Sequence, residues 1–302
     1  MEQTPKQFAL QIAALITLYV SISAFLILLF GLINLTYPDA AEDYWQIQSS
    51  QSGIRYAIAA LIVFFPAYLV LTRVVNQARR HASNLYHTLT KWFVYLSILV
   101  GGLILLGDLV TVILTYLNGE ITVRFILKAL ALFVVIGLAL WYYWLDAKGH
   151  WKNHEKTSLQ VGGITVVLVI AAVIYGFLNI DSPAVVREIR LDEQQLADLQ
   201  DMQWRVEAYF QRNETLPASV TEVYEDIAVP VAPENRDDYR YEVTGDKTYE
   251  LCATFTQPTP GSTELRSVAK PYAEPGYDPN NYVWEHSTGE RCFKRTVQLP
   301  LK

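Results

Sequence analysis

Five long apolar runs, each of a length that could cross a membrane, constrain this chain more than any other feature. The hydrocarbon core of a bilayer is about 30 Å thick, so a crossing helix needs about 20 mostly apolar residues. Each run is apolar on all sides, which is not typical of a surface helix in a soluble domain. The predicted spans cover approximately residues 8–33, 54–75, 92–117, 121–145 and 159–178. Residues 1–180 are therefore predicted to form an all-α domain of five transmembrane helices.

The basic residues of the loops predict how these helices are oriented. Lys and Arg occur in the loops after the second and fourth spans and are missing from the loops after the first and third. Short basic loops stay in the cytoplasm. We therefore expect a multi-pass protein of the inner or plasma membrane, with a cytoplasmic N-terminus and an extracytoplasmic C-terminal domain. The first span is interpreted as a retained anchor, and cleavage after Ala40 or Ala41 is the alternative.

The charge of the chain changes sign near residue 180. Residues 1–180 contain 11 Lys and Arg and 8 Asp and Glu, a net charge of +3, whereas residues 181–302 contain 13 and 22, a net charge of −9. The predicted domains are therefore residues 1–180 and 181–302. Nucleic-acid binding needs a basic surface, so no nucleic acid is expected as a partner. The expected partners are the lipid bilayer and an extracytoplasmic protein or ligand.

Residues 181–302 have the pattern of a small α+β domain. Asp181-Ser182-Pro183 is a helix-start signal, and apolar residues at helical spacing follow it through residue 213. A short second helix is predicted at residues 219–226. Two β-hairpins are predicted at residues 239–255 and 282–297, because apolar and polar residues alternate there on either side of turn residues. The expected fold is a long helix packed on an antiparallel sheet.

The two cysteines of the chain, Cys252 and Cys292, fall one in each predicted hairpin. An oxidising compartment outside the cytoplasm favours a disulfide between them. Closing a loop of about 41 residues would stabilise the domain by about 4 kcal/mol in the chain-entropy model. Two free buried thiols are the alternative.

Four charged residues form a predicted cluster in or near the membrane: Arg55, Asp108, Arg124 and Lys128. Asp108 comes ten residues before Asn118, about 15 Å below the surface, and Lys128 is about 12 Å deep on the next span. An unpaired ion in hydrocarbon costs at least about 3 kcal/mol, so pairing of these two is expected. The cluster is interpreted either as a structural ion pair or as a proton or ion relay or an anion site.

Other candidate chemistry in the sequence is weak. His150 and His154 have the i, i+4 spacing of metal ligands, but no Cys or acidic cluster joins them. His286 is a lone histidine without a nucleophile placed beside it. Motifs of hydrolases, nucleotide-binding loops and zinc proteases are missing from the sequence. An enzyme is therefore not expected, and no cofactor is implied.

Residues 1–180 resemble a bacterial membrane domain known as domain of unknown function 5671. The similar features are Arg55-Tyr56 opening a span, Pro66 inside that span, Gly107-Asp108 in the next, and the turn "NGEITVRFILK". This family has no assigned activity, so the resemblance implies a membrane fold and no specific function.

The C-terminal domain resembles the soluble part of type IV pilins and secretion pseudopilins. The features are a helix ending in "DLQDMQWRVEAYFQRN", then "LPAS", then "YRYEV" and "TYELCATF". The resemblance implies a long helix against an antiparallel sheet. The sequence departs from that family because it has neither a short basic leader with a prepilin cleavage site nor a Glu five residues into a leading apolar helix.

Three functions remain open from the sequence. The first is a binding, scaffold or sensing protein with an extracytoplasmic domain. The second is a small transporter or ion-coupled membrane protein that uses Asp108 and Lys128. The third is a pilus or secretion-type assembly component, which rests on the resemblance alone.

Overall fold

The computed structural model describes residues 3–37, 44–80, 84–119, 122–148, 155–225, 227–259, 281 and 283–297. The chain divides into two compact units, Met1–Ile180 and Asp181–Lys302. Each unit is described by itself below. Ala40, Ala41, His150 and His154, which carried sequence-based predictions, lie outside the described residues.

The described residues of the first unit form five long apolar helices. They are α1 (Gln3–Thr36), α2 (Tyr44–Arg80), α3 (Asn84–Leu117), α4 (Val123–Ala147) and α5 (Glu155–Leu178). Each contains a segment long and apolar enough to cross a membrane. The prediction of five such helices is confirmed. The fourth begins slightly later than expected, because the Thr122 hydroxyl accepts a hydrogen bond from the backbone N–H of Phe125 and caps the helix start.

Glycines allow the apolar helices to approach one another closely. A methyl group added at Gly31 of α1 would lie 2.5 Å from Cγ1 of Ile54 on α2. A methyl group at Gly176 of α5 would lie 2.9 Å from Leu28 and 3.1 Å from Ile58. Small residues at helix contacts are the usual means of close packing between apolar helices. Helices α1, α2 and α5 therefore share one buried core.

The second unit begins with α6 (Pro183–Asn213). The Ser182 hydroxyl accepts a hydrogen bond from the N–H of Val185, and Pro183 occupies the first turn, where its missing N–H costs nothing. The helix ends where Glu214 takes a left-handed conformation, with φ of 57°. The predicted helix start is confirmed, and the predicted helical region ends a few residues before Pro217.

In the part of the second unit that the structure describes, an antiparallel sheet of three strands packs on α6. Its strands are β1 (Arg240–Gly245), β2 (Thr248–Phe255) and β3 (Gly289–Thr296), in the order β1-β2-β3. The first predicted hairpin is confirmed, with Tyr241 opposite Leu251 across β1 and β2. Leu199, Met202, Val206 and Phe210 of α6 form the core with the inward side chains of β2 and β3.

Two elements differ from the sequence-based prediction. The second hairpin is wrong, because residues 283–288 form no strand and β3 pairs with β2 instead. Trp284 packs on Phe293, with ring centroids 4.8 Å apart, and His286 stacks on Phe255 at 3.8 Å. These aromatic side chains cover the sheet rather than extend it. The predicted second helix is a single 3₁₀ turn, η1 (Val220–Val223).

Candidate functional site

The four predicted charged residues of the first unit are spread over three helices. Arg55 lies on α2 and donates from Nη2 to Oε1 of Gln51 at 2.9 Å. Asp108 lies half-buried on α3, and Arg124 and Lys128 lie half-buried on α4. Asp108 forms no ion pair or hydrogen bond with another residue in the described part of the chain. Its pairing with Lys128 stays a prediction.

A contact between α3 and α4 indicates how far apart Asp108 and Lys128 lie along the helix axes. A methyl group at Gly101 would lie 2.6 Å from Leu140, so these residues face each other at one level. Asp108 comes seven residues after Gly101, and Phe133 comes seven residues before Leu140. Asp108 is therefore level with Phe133, and Lys128 lies about 7.5 Å nearer the α3–α4 turn, at 1.5 Å per residue.

The predicted disulfide of the second unit is confirmed. Cys252 of β2 and Cys292 of β3 are register partners with Cα atoms 4.0 Å apart, and their sulfurs are bonded at 2.10 Å. Nη2 of Arg240 lies 3.5 Å from Sγ of Cys252 and 3.4 Å from Sγ of Cys292. The same nitrogen is 3.0 Å from the carboxylate of Glu290. The disulfide thus joins neighbouring strands and lies on the sheet face opposite the core.

A carboxylate near the disulfide raises the question of a metal site. An oxygen of Glu250 lies within 4.8 Å of both sulfurs. Metal ions in proteins bind the cysteine thiolate, and both sulfurs are used here in the disulfide. The three residues therefore do not form a metal site in this oxidised state.

A buried ionic network anchors the start of α6 to the rest of the second unit. The guanidinium of Arg236 contacts Glu188 at 2.6 Å and Asp192 at 3.1 Å on successive turns of the helix. It also donates to Oε1 of Gln195 at 3.2 Å and to Oγ1 of Thr256 at 2.7 Å. Arg236 has only 4% of its side chain exposed, so these contacts replace the water that it loses.

Asp192 completes the network from the opposite side. Its carboxylate accepts hydrogen bonds from the backbone N–H groups of Thr256, at 3.1 Å, and Gln257, at 2.8 Å, just after β2 ends. The Arg236 guanidinium also holds the pKa of Glu188 below its usual value, since it hydrogen bonds the charged form of that carboxyl. The network ties one helix, one strand end and the segment before β1 together.

Three tyrosine hydroxyls are engaged along the middle of α6 and just after its end. Tyr239 donates to Asp198 at 2.6 Å, Tyr224 donates to Asp201, and Tyr241 donates to the carbonyl of Pro217 at 3.0 Å. Burial is the main cause that raises the pKa of Tyr239, with its bond to Asp198 second, and burial raises the pKa of Tyr241 to about 12. All three therefore stay neutral at physiological pH.

A cavity of about 220 Å³ opens beside these tyrosines. It lies between α6, η1, residues 229–232 and the start of β1. The side chains that matter most to its chemistry are Met202, Val231, Asp238, Tyr239 and Tyr241. Met202 is buried and Val231 is 75% exposed, so the cavity extends from the core to the surface. The Asp238 carboxylate is exposed and makes no hydrogen bond or ion pair within the described residues.

His286 lies in the core rather than at a catalytic position. The residue is 6% exposed, its ring stacks on Phe255, and its Nδ1 has no hydrogen-bond partner among the described residues. Burial lowers the pKa of His286, opposed in part by the negative charge of Asp192.

Comparison with known proteins identifies one region of the chain. Residues 7–143 match the family model of a domain of unknown function, DUF5671. The resemblance stated from the sequence is confirmed over that range, which is shorter than the 1–180 expected. No curated protein and no solved structure is significantly similar to the chain. The pilin-like arrangement of the second unit therefore rests on sequence resemblance alone.

The DUF5671 region contains Arg55, Asp108, Arg124 and Lys128, whereas the network around Arg236 and the cavity lie outside it. Sequence reasoning missed both. The spacing of Glu188, Asp192 and Gln195 places them on one side of α6, which is a visible signal of a polar buried stripe. Nothing in the sequence indicates that Arg236, more than 40 residues later, would be their partner.

Proposed function

We propose that the protein is a multi-pass protein of the inner or plasma membrane that displays its second unit outside the cytoplasm as a binding or scaffold module. The N-terminus would lie in the cytoplasm, and the five apolar helices would anchor the module or carry a signal from it. The observation that carries the proposal is the disulfide between Cys252 and Cys292. Structural disulfides form and persist in oxidising compartments outside the cytoplasm.

The loop charges of the first unit support the same location. Loops expected on the cytoplasmic side hold the Lys and Arg, and an odd number of spans then places residue 181 on the other side. Two independent features, one from each unit, thus favour one orientation.

Binding is proposed rather than catalysis because the charged group of Arg236 and the tyrosine hydroxyls beside the cavity are engaged in internal contacts. Arg236 is enclosed by Glu188 and Asp192, and the hydroxyls of Tyr239 and Tyr241 are bonded to Asp198 and Pro217. The cavity beside the tyrosines and its free carboxylate at Asp238 are what this unit offers to a partner.

The two cysteines of the chain allow a direct test, since both lie in the second unit. Spheroplasts that produce the full chain are treated with a membrane-impermeant maleimide, with and without prior reduction. We expect labelling of intact spheroplasts only after reduction. If the cysteines are instead labelled only after lysis, and without any reductant, the proposal is contradicted.

A matched control reports the opposite side of the membrane. In a Cys252→Ser/Cys292→Ser background, Ser83→Cys places one cysteine in the basic loop after the second span. That cysteine should react only after lysis, whatever the reductant. If it reacts in intact spheroplasts, the proposed orientation is wrong even if the second unit is also labelled.

A further inference from the structure

The cavity beside Tyr239 has walls that suit a long side chain with a charged end. Met202 and residues 229–232 supply apolar surface, and the rings of Tyr239 and Tyr241 complete the lining. Because both tyrosine hydroxyls are bound elsewhere, at 2.6 Å to Asp198 and at 3.0 Å to Pro217, the tyrosines offer mainly aromatic ring surface. Aromatic rings attract cations through their negative faces.

Asp238 gives the cavity a fixed negative charge. It is the ionisable carboxylate in the lining, it is exposed, and it has no partner among the described residues. The segment from 222 to 238 contains six acidic residues and one basic residue, Arg236. Arg236 is enclosed in the buried network with Glu188 and Asp192, so it does not neutralise the acidic residues of this segment. The exposed acid of the lining and the acidic composition of this segment therefore favour a cation as the ligand.

The size of the cavity limits what it can hold. Pockets for whole drug-sized ligands measure about 300–1,000 Å³, and this one measures about 220 Å³. Lysine and arginine side chains bury an apolar stem and keep a charged head near polar groups, which matches apolar walls with one carboxylate.

We infer that this cavity binds a lysine or arginine side chain of a partner polypeptide, with the apolar stem against Met202 and the tyrosine rings and the charged group at Asp238. This inference deepens the proposed binding function and rests on it. The net charge of −9 on residues 181–302 favours approach of such a basic partner.

Methionine-methyl NMR tests the inference in the full chain. The chain has two methionines, Met1 and Met202, so ¹³C-methyl labelling gives a reporter inside the cavity. The probes are end-blocked Gly-Lys-Gly and Gly-Arg-Gly tripeptides, added to the protein in detergent micelles. The neutral control is the same tripeptide with norleucine, which keeps the apolar stem and lacks the charge. We expect a saturable shift of the Met202 signal with the lysine or arginine peptide and not with the norleucine peptide.

Two matched variants test the role of the carboxylate. Asp238→Asn should weaken binding about two- to fivefold, since it removes the exposed negative charge of the lining. Glu234→Gln removes the same charge from the same acidic segment outside the cavity and should leave binding unchanged. An unchanged Met202 signal in the free Asp238→Asn protein verifies that the cavity is still folded. If that signal has moved, the titration is repeated with Asp238→Glu, which keeps the charge and should bind the basic peptides.

Four outcomes overturn the inference. Two concern the peptides: no saturable shift of the Met202 signal with either basic peptide, or an equal shift with the norleucine peptide. The third is an equal loss of binding in Asp238→Asn and Glu234→Gln. The fourth is a shift of the Met202 signal with tetramethylammonium but with none of the peptides. Because the titration uses detergent-solubilised protein, its failure leaves the membrane orientation open, and maleimide labelling decides that question separately.

Discussion

The guanidinium of Arg236 and the carboxylate of Asp192 lie 3.1 Å apart, and each side chain is only 4% exposed. Such a pair is costly to break from one side, because the remaining charge stays buried without its partner. Arg236 joins the segment before β1 to α6, and Asp192 joins α6 to the end of β2. The pair therefore joins three segments of the second unit at one place: the segment before β1, α6 and the end of β2.

Removing Arg236 should destabilise the second unit strongly. For Arg236→Met we expect a loss of about 3–5 kcal/mol, the usual cost of leaving one buried charge unpaired. The measurement is pulse proteolysis of the full chain in micelles over a urea series. Arg212→Met, which changes an exposed arginine near the end of α6, is the control and should change stability by less than about 0.5 kcal/mol. Equal effects of the two variants would show that the pair contributes nothing specific.

The disulfide should contribute stability that a reductant removes. Cys252 and Cys292 are separated by 40 residues, and loss of this link should cost about 4 kcal/mol in the chain-entropy model. The Cys252→Ala/Cys292→Ala variant should unfold at a lower urea concentration than the oxidised protein and should not respond to a reductant. A variant as stable as the oxidised protein would contradict this expectation.

The stability of the second unit should fall at mildly acidic pH because of His286. Burial lowers the pKa of His286 in the folded state, so the unfolded chain binds its proton more readily. The contribution is present above the ordinary histidine value of about 6.5 and is lost as the pH falls through the folded pKa. Since His286 is the one histidine after residue 180, His286→Gln should flatten the dependence between about pH 7 and pH 5.5. An unchanged slope in that variant would assign the effect to other groups.

Close packing at Gly31 should not tolerate a methyl group. Gly31→Ala would place its Cβ 2.5 Å from Ile54, and we expect a cost of about 1–3 kcal/mol from overpacking. Gly137→Ala, on α4, meets no atom within 4 Å among the described residues and should be neutral or slightly stabilising. Survival of folded protein in size-exclusion chromatography after heating compares the two. If the Gly31→Ala protein is as stable as the Gly137→Ala protein, α1 and α2 do not pack as described.

Asp108→Asn should leave the amount of folded protein unchanged or raise it. Asp108 forms no ion pair or hydrogen bond within the described residues, so neutralising it removes a charge from an apolar environment. Membrane yield and monodispersity are the measurements. If Asp108→Asn lowers the yield and adding Lys128→Met restores it, the two residues are a structural pair after all.

The sequence predicted the five apolar helices, the start of α6 and the first hairpin, because their signals are local: length, hydropathy, caps and turn residues. It did not predict the position of β3. Trp284 and His286 alternate with polar residues as a strand would, yet their rings pack on Phe293 and Phe255. The alternation of apolar and polar residues indicates which side chains are buried. It does not indicate which strand of the sheet a segment pairs with, or whether it pairs at all. The same limit applies to Arg236, whose partners lie more than 40 residues earlier and are joined to it only by the fold.

The bond between Cys252 and Cys292 turns the intervening chain into a closed ring that includes residues 260–280. A protease that cuts once anywhere in this ring would not separate the protein into two molecules. The nicked protein would migrate as one species on a non-reducing gel and as two after reduction. In an environment rich in proteases, β3 would thus remain covalently attached to β2 after such a cut.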